Sequence, residues 1–166
     1  MKMGRNATKA FNNVFYLARM NAAKYNDRYS SRESASLEVG IERTRLANLE
    51  RNVNCPHPDE IVAMVDSYNA PELYNHYCSR QCPIGMETVQ PIDLKNLETT
   101  AIKLFSVLKK VSGVGENILE IVEDGIIDEN EKGDMNNIIK LLDNVSREVN
   151  TFKAIIEKIE RGEYIE

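Results

Sequence analysis

Residues 31–52 read SRESASLEVGIERTRLANLERN, and the fold of the N-terminal half follows from this stretch. Ser31 is a typical helix N-cap, and it predicts a helix over Arg32–Val39. Gly40 then suits the left-handed backbone that ends a helix. Apolar residues resume at helical spacing after this glycine, which predicts a second helix from about Glu42 to Arg51. Two short helices joined by a tight turn are therefore expected here.

Apolar residues at helical spacing predict further helices on both sides of this stretch. The stripe of the preceding helix, expected over residues 9–25, consists of Phe11, Val14, Phe15, Leu17, Ala18 and Ala22. After the stretch, Pro58 opens a helix whose first turn is acidic, and another short helix follows Pro71 as far as Tyr77. The sequence therefore predicts an all-α domain over residues 9–85.

From about residue 91 the apolar residues alternate three and four positions apart, as in a heptad helix. One seam is formed by Leu94, Leu97, Ala101, Leu104, Leu108 and Val111, and the second by Met135, Ile138, Leu142, Val145, Val149, Phe152, Ile156 and Ile159. Gly113 and Gly115 are expected to end the first helix, and the second should run over residues 129–161. We expect residues 91–166 to form an acidic long-helix coiled or bundle domain that dimerises the protein or receives a signal. Because the longer helix would stay partly uncovered in a hairpin, a homodimer through these helices is favoured.

Charge differs between the two halves of this chain, which has 166 residues and a net charge of −5. Residues 1–58 hold 10 basic and 5 acidic side chains, whereas residues 86–166 hold 10 basic and 17 acidic ones. A basic module joined to an acidic helical module is common in proteins that bind polyanions. Because the chain has three cysteines and lacks a long apolar run or a signal-peptide core, we expect a cytoplasmic protein with reduced thiols and no membrane contact.

The helix-turn-helix of residues 31–52 resembles that of the XRE family, the phage Cro and repressor type of transcriptional regulators. Arg32–Ser36 looks like the family's Gln-Glu-x-hydrophobic-Ala core, Gly40–Ile41 like its turn, and Leu46–Asn52 like its Ile-x-x-Ile-Glu-x-Gly end. The chain departs from the family in having Arg32 for glutamine, Ser36 for alanine and Asn52 for glycine, although asparagine also tolerates the left-handed conformation. The resemblance implies a five-helix lambda-repressor-like DNA-binding domain, which covers about residues 11–78.

Other segments are similar to a subgroup of that family in clostridial and phage-related genomes. They are Phe15-Tyr16 to Arg19, Ser31-Arg32-Glu33, Ala70-Pro71-Glu72-Leu73 and Tyr77-Cys78 through Cys82-Pro83-Ile84-Gly85. The resemblance thus implies double-stranded DNA as the partner, with a palindromic operator read by a dimer.

In such a fold the second helix of the motif enters the major groove. Side chains suited to bases are Arg43, Thr44, Arg45 and Asn48, and those placed to hold phosphates are Arg32, Arg51, Asn52 and Asn54. Glu42 would repel phosphate unless it pairs with Arg45 or accepts from a cytosine amino group. The alternative interpretation is an ordinary solvated helix face.

A zinc or iron–sulfur site is conceivable around Cys78 and Cys82, with His76 close by and Cys55 and His57 in an earlier loop. The second cysteine pair that such a site usually needs is missing, so buried or surface thiols are the expectation.

Residues 120–131, EIVEDGIIDENE, have the spacing of the second half of an EF-hand loop. Val122 stands where a calcium ligand belongs, so a turn between helices, with Asp128 as N-cap and Glu131 in a capping box, is expected instead. No cofactor or metal is therefore predicted.

Catalytic motifs are not recognisable, since there is no glycine-rich phosphate loop, no His-Glu-x-x-His and no nucleophile elbow. The sequence predicts a DNA-binding transcriptional regulator of the repressor type rather than an enzyme. The alternative is a protein-interaction adaptor, such as an antitoxin-like or phage accessory protein, that uses its heptad helices.

Overall fold

The computed structural model describes residues 10–122 and 131–162, except for the side chains at positions 116, 117 and 120–122. Regular secondary structure within these residues is entirely helical, which confirms the all-α class for the described part of the chain. The chain divides into two compact units, Met1–Val89 and Gln90–Glu166. Among the described residues, no helix has both the length and the apolar character needed to cross a membrane.

The first unit consists of short helices connected by tight turns. They are α1 Val14–Ala22, a 3₁₀ turn Asp27–Tyr29, α2 Arg32–Val39, α3 Arg43–Leu49, α4 Pro58–Tyr68, α5 Glu72–Arg80 and α6 Pro83–Thr88. The bounds of α2 are those predicted. Helix α1 begins later than the predicted residue 9 because the Asn13 side chain caps it, accepting a hydrogen bond from the Tyr16 amide (3.0 Å).

Capping interactions also fix the ends of α2 and the turn after it. Ser31 Oγ accepts a hydrogen bond from the Ser34 amide at 3.1 Å, which satisfies one of the unpaired amides of the first turn. Gly40 has φ = 73°, the left-handed conformation that glycine adopts without a steric penalty. The predicted N-cap at Ser31 and the predicted left-handed turn at Gly40 are both confirmed.

A single apolar core joins helices α1 to α5 of this unit. Its fully buried large side chains are Phe15, Leu46, Leu49, Ile61, Met64, Val65, Tyr68 and Leu73. Phe11 and Leu17, which the predicted stripe of the first helix includes, are instead 71% and 45% exposed, so the stripe was wrong at these positions. The buried face of α1 contains Phe15, Ala18 and Ala22 together with a charged residue, Arg19.

Helix α6 was not predicted from the sequence. Pro83 opens it at the first helical position, where the missing amide hydrogen costs nothing. A Cβ atom at Gly85 would overlap the backbone carbonyl of Cys78, so this glycine allows α6 to approach α5 closely. A close approach of this kind leaves no periodic apolar signal in the sequence.

The second unit is built from two long helices, α7 Leu97–Val122 and α8 Glu131–Glu160, which pack on each other. Contrary to the prediction, Gly113 and Gly115 do not end the first of them, since α7 continues to Val122. A glycine inside a helix costs only about 1 kcal/mol relative to alanine, which packing along a helix pair can offset. The expected EF-hand-like turn falls mostly on residues 123–130, outside the described residues, and so does the expected N-cap Asp128.

Candidate nucleic-acid interface

Helix α3 is attached to the core along one side only. Leu46 and Leu49 are completely buried, and Ile41 in the preceding turn is 5% exposed. Arg43 and Thr44, which precede these leucines in the same helix, are exposed. The helix therefore has one apolar side that holds it in place and a first turn that presents polar side chains to solvent.

Glu42 is the N-cap of α3. Its two carboxylate oxygens accept hydrogen bonds from the amides of Thr44 and Arg45, both at 2.8 Å. These backbone hydrogen bonds are the main cause of a pKa for Glu42 that lies below the ordinary glutamate value. Glu42 thus contacts the backbone of residue 45 and stabilises the helix start. A phosphate cannot bind these two amides while the carboxylate occupies them.

Arg45 makes a bidentate ion pair with Glu60 at the start of α4. Nε and Nη2 donate to the two carboxylate oxygens at 2.8 and 2.7 Å, and Nη2 also donates to the Cys55 carbonyl at 2.9 Å. With its amide oxygen turned toward Arg45, Asn54 accepts from Nη1 at 3.0 Å. The structure therefore brings two predicted DNA contacts together, Arg45 and Asn54, but through interactions within the protein.

This ion pair predicts a loss of stability at acidic pH. The side-chain hydrogen bond from Arg45 is the first cause that lowers the pKa of Glu60 below its ordinary value of 4.5. A lowered pKa in the folded state means that the stabilisation is complete above pH 4.5 and is lost as the pH falls through the folded-state pKa. We expect Glu60→Gln to reduce the free energy of unfolding by about 1 kcal/mol at neutral pH and by almost nothing in strong acid.

Urea unfolding of the wild type and of Glu60→Gln, from neutral pH to strong acid, measures the effect. The matched control is Glu87→Gln, which removes an exposed carboxylate elsewhere in the same unit. A difference between the wild type and Glu60→Gln that stayed constant with pH would contradict the assigned ion pair.

Glu50, which directly follows α3, is a completely buried carboxylate between two arginines. Arg19 donates to it from Nε at 2.6 Å and from Nη2 at 3.2 Å, and Arg32 donates from Nε at 2.6 Å. The side chain of Arg19 is only 3% exposed, whereas that of Arg32 remains 25% exposed. Arg32, a predicted phosphate contact, is thus oriented by Glu50 and still reaches the surface.

Arg19 also connects α1 to the chain that enters α2. Its Nη1 donates to the carbonyls of Tyr29 and Ser30 at 2.6 and 3.2 Å. With the two bonds to Glu50, most of the hydrogen-bond donors of the buried guanidinium therefore have an acceptor. This ionic network was missed in the sequence. The signal that identifies it is spacing, because Arg19 falls at the helical interval of Phe15, Ala18 and Ala22 on a face that is otherwise apolar.

The remaining predicted contacts lie around the end of α3. Arg51 donates to the Asn48 side-chain oxygen at 2.8 Å and to the Ala47 carbonyl at 2.9 Å. Asn52 has φ = 56°, the left-handed conformation expected where the family has glycine. Its side-chain oxygen accepts from Asn13 Nδ2 at 2.7 Å, so this residue ties the end of α3 to α1.

The cysteine and histidine side chains do not converge. Cys55 is exposed, Cys78 and Cys82 are partly buried, and all three are free thiols. In residues 10–122 and 131–162 there is no group of three or more histidine, cysteine or acidic residues that could hold a metal ion. His76 instead packs edge-on against the Phe15 ring, and burial lowers the pKa of its imidazole.

Comparison with known proteins does not identify the chain: no family model, no curated protein and no solved structure matches it. Arg43 and Thr44 are exposed in the first turn of α3, Arg32 is exposed in part, and Arg45 is held by Glu60. Such a surface can donate hydrogen bonds to an anionic, hydrogen-bonding partner.

Proposed function

We propose that this chain is a sequence-specific DNA-binding transcriptional regulator of the repressor type, and that α2 and α3 form its helix-turn-helix. The observation that carries the proposal is the way in which the core holds α3. Its leucines are buried, it follows a left-handed glycine turn, and its first turn presents Arg43 and Thr44 to solvent. A helix held along one side by the core is what insertion into a major groove requires.

Arg43 is the residue to which we assign the principal base contact. An arginine can donate two hydrogen bonds to the O6 and N7 atoms of guanine, and an exposed one need not first leave a protein partner. Arg45 has the same chemistry, but base contact would require it to leave Glu60. Arg32 remains suited to a phosphate, since Glu50 orients it and leaves part of it exposed.

The proposed regulator acts as a homodimer through its C-terminal helices. Two copies of α3 related by a two-fold axis would read a palindromic operator whose half-sites lie about one helical turn, roughly 34 Å, apart. The resemblance of residues 31–52 to XRE regulators supports the same assignment. It does not identify the sequence of the operator.

The proposal is tested by selecting a duplex from a randomised DNA pool with the full-length protein. Fluorescence anisotropy then compares the selected duplex with a scrambled one at two salt concentrations. We expect Arg43→Ala to weaken binding to the selected duplex by about 1 to 3 kcal/mol and to change binding to the scrambled duplex far less, because base contacts carry the specificity.

The matched control is Lys110→Ala, which removes the same charge from the exposed surface of α7. It should leave binding to the selected duplex nearly unchanged. Equal losses for the two variants on both duplexes would contradict the role of Arg43.

A second candidate is the protein-interaction adaptor, in which α2 and α3 are only a scaffold. Two observations favour it, namely the pairing of Arg45 with Glu60 and the carboxylate of Glu42 at the start of α3, because both reduce the positive potential there. Failure to select any duplex from the pool would favour this candidate over the regulator.

A further inference from the structure

The two helices of the second unit form an antiparallel hairpin. Thr100 and Lys103, near the start of α7, line the same cavity of about 270 Å³ as Arg147, Glu148 and Thr151, in the last half of α8. Thr100 is therefore roughly level with Thr151. Because both helices rise about 1.5 Å per residue in opposite directions, each step along α7 matches one step back along α8.

Large apolar side chains remain exposed on one side of α7. The least exposed positions of α7 include Thr100, Leu104 and Val111, which lie within about 40° of one another around the helix and mark its contact face with α8. Ile102, 71% exposed, lies about 200° from Thr100, on the outer side of α7. At about 100° per residue, Leu108, Leu119 and Phe105 are turned clockwise from this contact face when α7 is viewed from its N-terminus. Their exposed fractions are 41%, 69% and 70%.

Helix α8 has a similar exposed stripe. Ile138 is buried in the hairpin, whereas Leu142 and Ile139 are turned clockwise from it by about 40° and 100° and are 49% and 51% exposed. Each helix is viewed here from its own N-terminus. Because the helices are antiparallel, the clockwise side of α7 and the clockwise side of α8 lie on the same side of the hairpin. We call this side the apolar face, defined by Phe105, Leu108, Leu119, Ile139 and Leu142.

The opposite side of the hairpin is polar. It carries Lys103, Lys110, Asn137, Lys140 and Asn144. Exposed apolar residues scattered over a surface need no explanation, but their collection on one side of an amphipathic hairpin indicates a surface that another molecule covers.

The area of the apolar face fits a protein interface. Taking roughly 200 Å² for a large apolar side chain, the five exposed fractions correspond to about 600 Å². Half-buried neighbours such as Val149 and Ile156 lie at its edge. A standard interface buries about 800 Å² per partner, so one further hairpin is sufficient to cover this face.

The exposed charges at the edges of this face suit a second copy of the same chain. Glu98 and Lys109 lie along the edge of α7, and Lys153 and Asp143 lie along that of α8. Because Thr100 is level with Thr151 and the two helices run in opposite directions, Glu98 is level with Lys153. By the same count, Lys109 is level with Leu142, one residue before Asp143.

In a dimer whose two-fold axis runs parallel to the helices, α7 lies against the partner's α8 at the same levels. Glu98 then meets the partner subunit's Lys153, and Lys109 meets the partner subunit's Asp143. The opposite arrangement, α7 against α7, would bring Lys109 near its own copy and is disfavoured by like charge.

The geometry points to a four-helix bundle of two hairpins, in which the apolar face of each chain covers that of the other and α7 packs against the partner's α8. This inference deepens the proposed dimeric regulator, on which it rests for its biological meaning. The assembly is tested by mass, without DNA, so its failure and that of DNA recognition are distinguishable.

The first test replaces an apolar side chain at the centre of the face. Leu108→Glu would bury a charge without a partner, so we expect the dimer dissociation constant to rise by roughly 100-fold. The matched control is Ser106→Glu, which adds the same charge to an exposed position of α7 outside the apolar face. It should leave the constant nearly unchanged.

Sedimentation equilibrium of the full-length protein measures the constant, with a chain mass of 18.9 kDa for the monomer and twice that for the dimer. Circular dichroism checks that the variants remain helical. A wild-type protein that stayed monomeric up to high micromolar concentration would overturn the inference and leave a foreign partner as the occupant.

The second test exchanges charges at the edge and identifies the arrangement. Glu98→Lys and Lys153→Glu should each weaken the dimer by about three- to tenfold, because each sets like charges against each other. The double variant restores the opposite pairing and should recover most of the wild-type affinity. Independent, additive losses in the double variant would contradict the pairing of α7 with the partner's α8.

Discussion

Replacing Glu50 with alanine is expected to lower the free energy of unfolding of the first unit by about 3 to 5 kcal/mol. The substitution removes the carboxylate that both Arg19 and Arg32 contact. Arg19, whose side chain is only 3% exposed, would then keep only uncharged partners, namely the backbone carbonyls of residues 29 and 30, the Met20 sulfur and the face of the Tyr16 ring. An uncompensated buried charge is among the most destabilising changes that a single substitution can cause.

Urea unfolding followed by tyrosine fluorescence measures this loss, since the chain has no tryptophan and six of its seven tyrosines lie in the first unit. The matched control is Glu38→Ala, which removes the partner of Arg28 at the surface. The side chains of that pair are 68% and 31% exposed. We expect it to cost less than about 1 kcal/mol. Similar losses for both variants would show that Glu50 does not hold a buried network.

Leu46→Ala is expected to destabilise the first unit by about 2 to 5 kcal/mol. Leu46 is completely buried in the apolar core of the first unit, and the alanine leaves a cavity at the point where α3 meets that core. Because this leucine holds the proposed recognition helix, the orientation of Arg43 depends on it. The same variant should therefore weaken binding to a selected duplex even at temperatures where it remains folded.

Leu37→Ala is the matched control, because it makes the same chemical change in α2, at a side chain that is 81% exposed. Its stability should stay within about 0.5 kcal/mol of the wild type. Urea unfolding of the two variants side by side tests the burial of Leu46. An equally large loss of unfolding free energy in both variants would contradict it.

The ends of the helices in the first unit were largely predictable from local chemistry. Ser31, Gly40 and Pro58 mark ends of α2 and α4, because N-caps, left-handed glycines and first-turn prolines act through the backbone of the nearest few residues. The same local reasoning failed at Gly113 and Gly115. There the preference of the single residue is weak, and packing along the whole length of α7 outweighs it.

The candidate site shows where local reasoning stops. By sequence, Arg32, Arg43 and Arg45 are equivalent cations in one motif, and all three were predicted to contact DNA. The folded chain separates them, since Glu50 lies 18 residues after Arg32 and Glu60 lies 15 residues after Arg45. Which guanidinium remains exposed depends on carboxylates that only the fold brings near.

The sequence by itself determined the helical class, the tight turn at Gly40 and the apolar positions that hold α3 to the core, because these depend on residue type and spacing over one or two helical turns. Only the tertiary structure decided that Arg19 and Glu50 form a buried ion pair 31 residues apart, and that Arg43 rather than Arg45 is exposed. The physical reason is that ion pairs depend on distances of a few ångströms between side chains, and helix packing sets those distances.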